Sequence, residues 1–109
     1  MTPSITYTDD LIVRCQKQEQ RAQLEVYKKY YKAMYNTALR IVKDSAEAED
    51  IMQEGFIKAF SKIDSFEGKS TFGAWIKKIV VNLSINAYNK KIKYVQVSYN
   101  DEFKNEIDE

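Results

Sequence analysis

Lys78, Asn82, Ile85 and Asn89 recur at intervals of three and four residues, with Asn86 beside them. The surrounding stretch from Gly68 to Val95 holds Lys69, Lys77, Lys78, Lys90, Lys91 and Lys93 and not one acid. On a helix this spacing sets a lysine and several amides along one flank. Lysine attracts phosphate, and an Asn side chain both donates and accepts, so the flank suits backbone contacts combined with base edges. A solvated charged face has the same pattern, and spacing alone leaves both readings open. Just upstream, Phe66, Phe72 and Trp75 lie close together. An exposed ring beside positive charge can stack an unpaired base for about 1–3 kcal/mol. Phe72 and Trp75 fall on the inner stripe of a helix and read as core. Phe66, among turn formers, is expected to be exposed.

Negative charge collects elsewhere. Asp44, Glu47, Glu49, Asp50 and Glu54 run up to Ile57 with no basic residue among them, and residues 101–109 carry five acids against Lys104 alone. With 17 Lys and Arg against 16 Asp and Glu over 109 residues, the near-neutral total conceals opposite local fields, which can steer two partners to two faces. Acids at a helix start also complement its dipole, by about 0.3–1 kcal/mol each.

Several chemistries have no residues to carry them. The chain contains no His, which removes the commonest general base and metal ligand. Its single Cys, Cys15, forms no internal disulfide or cysteine metal cluster, in keeping with a reducing, cytoplasmic setting. Asp50 and Glu54 could meet a Mg2+ ion, but they lie on a wet helix face with no evident pocket. The expectation is therefore no enzyme, no metal and no cofactor. No apolar run approaches the roughly 18–20 residues of a membrane span, and no secretory signal opens the chain.

The elements that must position these residues are helical. Three Gly and one Pro in the whole chain argue against a sheet with many tight turns. Residues 1–7 read as a frayed terminus. Thr8 with Asp9 and Asp10 would cap a short helix through Leu11, Ile12 and Val13. Val26, Tyr27, Tyr30, Tyr31, Met34, Ala38, Leu39, Ile41 and Val42 trace one face of a helix from about Glu19, with Lys28, Lys29, Lys32 and Asn36 mostly outside it. The tyrosines read as core and rim packing. Asp44 and Ser45 break that pattern and can cap a helix from roughly Ala46 to Lys62. Its inner stripe is Ile51, Met52, Phe56, Ala59, Phe60 and Ile63, and its wet face Glu47, Asp50, Gln53 and Glu54. A turn-rich loop over 64–70 follows. Ser70 or Thr71 would cap a last long helix to about Lys93, with Phe72, Trp75, Ile76, Ile79, Val80, Leu83 and Ala87 inside. Residues 94–109 read as an acidic linker or tail outside the core. The expected fold is all-α: a compact bundle of three principal helices plus a short N-terminal one, with residues 1–8 flexible and 9–93 forming the domain.

On these residues the chain resembles a known family. Ala48, Glu49, Asp50, Ile51, Met52, Gln53, Glu54, Gly55, Phe56, Ile57, Lys58, Ala59 and Phe60 are similar to the AEDI-QE-F-K-F signature of bacterial sigma factors of the extracytoplasmic-function group. The run from Ile63 through Asp64, Ser65, Phe66, Glu67, Gly68, Lys69, Ser70, Thr71, Phe72, Gly73, Ala74, Trp75 and Ile76, with Asn82 beyond it, continues the pattern in register. The likeness covers residues 9–93 and corresponds to region two of those factors.

The resemblance implies a specificity subunit that binds core RNA polymerase and recognises and melts the promoter -10 element, with phosphodiester chemistry left to the polymerase. Glu47, Asp50, Gln53, Glu54 and Ile57 would meet the clamp helices of the polymerase largest subunit, a carboxylate–amide face suited to an Arg-bearing partner. The loop over 64–71 would capture a base flipped from the single-stranded non-template strand, with Lys62 and Phe66 as walls and Ser65, Lys69, Ser70, Thr71 and Trp75 around them. Lys78, Asn82, Asn86, Asn89, Lys90 and Lys91 would hold promoter DNA upstream of that base. An anti-sigma factor is the expected regulator. A complete factor also carries region four, a helix-turn-helix domain with no counterpart in this sequence, so the sequence reads as a longer protein cut in its acidic linker. The alternative is a protein-only helical module that binds an anti-sigma-like regulator and no DNA.

Overall fold

The computed structural model describes residues 10–108 of the chain. The expected frayed terminus at 1–7 and the Thr8 cap lie outside them. Among the described residues four helices follow in order: α1 (Asp10–Gln16), α2 (Gln20–Val42), α3 (Ser45–Ser61) and α4 (Phe72–Asp108), with a 3-10 turn (Ile63–Ser65) between the last two. α2, α3 and α4 pack on one another, and α1 lies across α2 and the 3-10 turn.

Local chemistry sets each boundary. Between α1 and α2, Gln18 takes a left-handed φ of 63°, and the Arg14 guanidinium donates twice to the Glu19 carboxylate, at 3.0 and 3.1 Å, closing the corner. That pairing raises the Arg14 pKa and holds the Glu19 carboxyl below the usual carboxylate range. α2 ends where Lys43 turns left-handed at φ 55° and donates its N–H to the Leu39 carbonyl, a closure that Gly more often makes. The Asp44 carboxylate accepts from the Glu47 N–H at 2.9 Å and caps α3. Of the two candidate caps for α4, Thr71 holds the position: its Oγ1 accepts from the Ala74 N–H at 3.1 Å.

The inner stripes expected from periodicity are buried or half-buried without exception. Ala22, Ala48, Gly55, Thr37 and Ser84 join them. The last two satisfy their hydroxyls by donating to the carbonyls of Ala33 and Val80 one turn back. α3 and α4 cross at Gly55, where an added Cβ would stand 2.7 Å from Cγ2 of Val80. A second close approach brings the Tyr30 ring to 3.1 Å from a Cβ placed on Gly73.

One boundary differs from expectation. α4 does not stop near Lys93 but continues to Asp108, because no Gly or Pro follows Gly73 to break it. The continuation stays outside the core: Tyr94, Val95, Val97 and Tyr99 are all exposed.

The crossing at Gly55 sets a stability test. Ala there gains about 1 kcal/mol of helix propensity, but overpacking a close contact costs about 1–3 kcal/mol. Val80 is fully buried and β-branched, so its methyl has nowhere to rotate. Gly55→Ala is expected to lower the thermal midpoint, and adding Val80→Ala should recover part of that loss; an unchanged midpoint in the single variant would refute the close approach.

Candidate functional site

Asp50, Gln53, Glu54 and Ile57 are all exposed and succeed one another at i, i+3, i+4 and i+7, forming one strip along the outer side of α3. Ile57, 71% exposed, adds a bare apolar side chain to that polar strip. Glu47 lies one turn before Asp50 on the same side, at the edge nearest α4. Half-buried there, Glu47 accepts from Lys91 Nζ at 3.2 Å. The acidic helix and the basic helix are thus tied at one point, between residues expected on two separate surfaces.

The strip borders a groove that periodicity did not mark. Gln20, Gln23, Leu24 and Tyr27 of α2 and Gln53, Phe56, Ile57 and Phe60 of α3 line a hollow of about 520 Å³. A neighbouring hollow of about 470 Å³ is lined by Tyr27, Tyr31, Lys32, Tyr35, Asn36, Glu49 and Met52. Tyr27 belongs to both; it stacks on Tyr31 at 5.6 Å and meets the Phe56 ring at 4.9 Å. The tyrosines do pack at the rim of the core, as expected, and in doing so they form a wall. Leu24, 52% exposed, is the residue overlooked. Its signal was a leucine on the polar side of an otherwise amphipathic helix.

On α4, Lys78, Asn82, Ile85, Asn86, Asn89 and Lys90 are all exposed, as their spacing implied. No acid lies within that segment of the helix. Lys91, engaged by Glu47, faces away toward α3.

The loop between α3 and α4 corrects one expectation. Phe66 is not exposed: it is 4% accessible, edge-on to Phe72 at 5.8 Å and 5.2 Å from Trp75. Phe72 continues the tier onto Tyr30 at 5.4 Å. A ring so enclosed cannot stack a base and acts as the loop's anchor to the core. The cause lies on α1, where Gln16 Nε2 donates to the Ile63 and Phe66 carbonyls at 3.2 and 3.1 Å and holds this backbone against the bundle.

Lys62, Ser65, Lys69 and Thr71 are exposed, and Ser70 and Trp75 are half-buried. Of the three clustered rings, the Trp75 indole alone reaches the surface. Ser65 Oγ donates to the Lys62 carbonyl at 2.6 Å, and Ser70 Oγ donates to the Thr71 carbonyl at 3.3 Å. Across Gly68, whose φ is 75°, Lys69 pairs with Glu67 at 2.9 Å. This holds the Glu67 carboxyl below its usual range and raises the Lys69 pKa. The site therefore has two parts on one bundle: an acid, amide and apolar strip with its groove, and a lysine and amide flank that begins at an anchored loop.

Known proteins resemble this chain in sequence and fold. Residues 26–93 match the family model described as Sigma-70 region 2. Over 80 residues the chain is 36% identical to the ECF RNA polymerase sigma factor SigW of Bacillus subtilis, covering 73% of this chain and 43% of that protein. Against the ECF RNA polymerase sigma-E factor of Escherichia coli the identity is 38% over 80 residues, 72% of this chain and 41% of the relative. The chain thus spans about two fifths of the length of these relatives. Among solved structures, an engineered region 2 of sigmaE in complex with GTAAAA superposes with a TM-score of 0.70 at 31% identity, covering 77% of this chain and 87% of that one.

Two outcomes follow from the anchored loop. Phe66→Ala is expected to cost about 3–5 kcal/mol of folding stability, read as a lower denaturation midpoint; a ring serving only as a binding wall would leave that midpoint unmoved. The Arg14–Glu19 pair stabilises the fold above the usual carboxylate range and loses its effect as pH falls through Glu19's lowered value. Arg14→Gln should remove that acid-side decline in α1 protection, measured by hydrogen exchange against pH.

Proposed function

The chain belongs to the Sigma-70 region 2 family, and from that premise we propose that it is the region-two domain of an extracytoplasmic-function sigma factor. It docks on core RNA polymerase through α3 and holds the -10 element of a promoter along the loop and α4. The observation that carries this reading is the exposure, on separate sides of one bundle, of the Asp50–Gln53–Glu54–Ile57 strip and the acid-free Lys78–Asn82–Asn86–Asn89–Lys90 flank. The strip suits a basic partner helix: carboxylates accept from Arg, while Ile57 and the adjoining groove receive apolar side chains. A regulator of the anti-sigma kind, covering the same strip and groove, would compete with the polymerase.

On the DNA side, Lys78 and Lys90 attract phosphates, and Asn82, Asn86 and Asn89 offer both donors and acceptors to bases. The GTAAAA bound by the engineered sigmaE region 2, which shares this fold, supports single-strand recognition here. A loop that holds a base only once it has left the duplex stabilises the open promoter and not the closed one. With Phe66 buried, Lys62, Ser65, Lys69 and Trp75 remain to contact that base. The domain supplies binding energy and selection in the cytoplasm, and the polymerase performs the chemistry.

Binding to core RNA polymerase is expected to fall at least about tenfold in Asp50→Lys or Glu54→Lys, where a carboxylate facing a basic surface becomes a like charge; undiminished binding by both would overturn the docking assignment. Fluorescence anisotropy with labelled GTAAAA should show affinity falling with salt, and Lys78→Ala should flatten the logarithmic slope by about 0.7 for each phosphate it ceases to neutralise. Absence of binding at low salt would favour a module that binds protein alone.

A further inference from the structure

Gln16 has no part in any motif, yet it joins the end of α1 to a loop 47 and 50 residues away. Its one amide nitrogen carries two N–H groups, and each finds a carbonyl: Ile63 O at 3.2 Å and Phe66 O at 3.1 Å. These two oxygens bracket the 3-10 turn. Ile63 O also accepts the Phe66 N–H at 3.1 Å, and the Ser65 N–H reaches Lys62 O at 2.9 Å, so the turn is hydrogen-bonded both within itself and to α1. The segment 67–71 is held by less: the exposed Glu67–Lys69 pair and the Thr71 cap at the start of α4.

We propose that Gln16 is a positioning residue for base selection, fixing the loop backbone from α1 so that Lys62, Ser65 and Lys69 keep the alignment a nucleobase requires. This rests on the reading that the loop receives a base. The argument is geometric. Discrimination between bases depends on donors and acceptors held within about 0.5 Å of their productive positions. Attraction to phosphate depends on the lysines of α4, whose places are set by helix packing. Without the Gln16 donors, two partly buried carbonyls lose a partner, and the loop relaxes around Phe66 to recover water. Selectivity falls and general strand affinity stays. Because the Arg14–Glu19 clip orients α1 on α2, the whole N-terminal corner serves as the loop's outer brace.

The 109-residue chain, a labelled six-nucleotide strand selected from a random pool for tightest binding to it, and the same six nucleotides in permuted order test this. Gln16→Met keeps length and volume and removes both donors. It is expected to lower the ratio of the two affinities about tenfold, with helix content by circular dichroism and the salt dependence of binding unchanged. Gln16→Glu is a second variant: as a carboxylate it faces two carbonyls with no proton to give, and once protonated it donates one hydrogen bond. Its selectivity should be poor at about pH 8 and partly restored at about pH 4.5, near the ordinary carboxyl range, where the unaltered chain serves as reference, and this restoration decides the matter if the Met variant is misfolded. An unaltered chain that selects no preferred strand from the pool would defeat the underlying functional reading. A normal preference there, retained in Gln16→Met or insensitive to pH in Gln16→Glu, would defeat the role of Gln16 alone.

Discussion

The seating of the loop between α3 and α4 is the constraint on which the rest of the molecule depends. Phe66 enters a tier of rings with Phe72, Trp75 and, through Phe72, Tyr30. Burying a ring of this size stabilises by about 1.5–3 kcal/mol, and geometry among neighbouring rings adds to it. The backbone that carries the ring cannot be buried unpaired, and Gln16 supplies its donors. One side chain and one amide therefore fix where the loop leaves α3 and where α4 begins. The exposed lysine and amide flank of α4 is placed relative to that point.

The charge distribution follows from the same packing. α3 and α4 cross where the Val80 side chain packs directly on the bare Cα of Gly55. This close approach lets an acidic and a basic helix lie against each other while most of their charges point outward in different directions. They meet at Glu47 and Lys91. Both partners are partly exposed, so the pair contributes modestly to stability. Its consequence is positional: it ties the lysine-rich portion of α4 to the start of α3.

The groove beside the acidic strip shows why a partly apolar hollow need not be marked in sequence. Its aromatic lining, Tyr27, Phe56 and Phe60, also belongs to the core, each ring giving one edge to the interior and one to the hollow. Leu24 and Ile57 complete it from two helices. The hollow therefore has carboxylates and amides at its rim and rings beneath them.

What the sequence by itself determined is local. Periodicity placed the three long helices, the Asp44 and Thr71 caps follow from side chains within three residues of the amides they bind, and the spacing of Lys78, Asn82 and Asn89 made an exposed flank because helical geometry repeats every 3.6 residues. The acidic strip was equally legible, and the motif in which it sits led to the family. Tertiary structure decided the rest. The burial of Phe66, the engagement of Glu47 by Lys91 and the groove at Leu24 each need two elements to meet across dozens of residues. A turn-rich segment advertises exposure until a distant amide satisfies its carbonyls, and no pattern along the chain encodes that meeting. The length of α4 lies between the two cases. Its uninterrupted run of helix-compatible residues was visible, but polarity and charge read as a tail, because a helix that leaves the bundle has no apolar stripe to announce it.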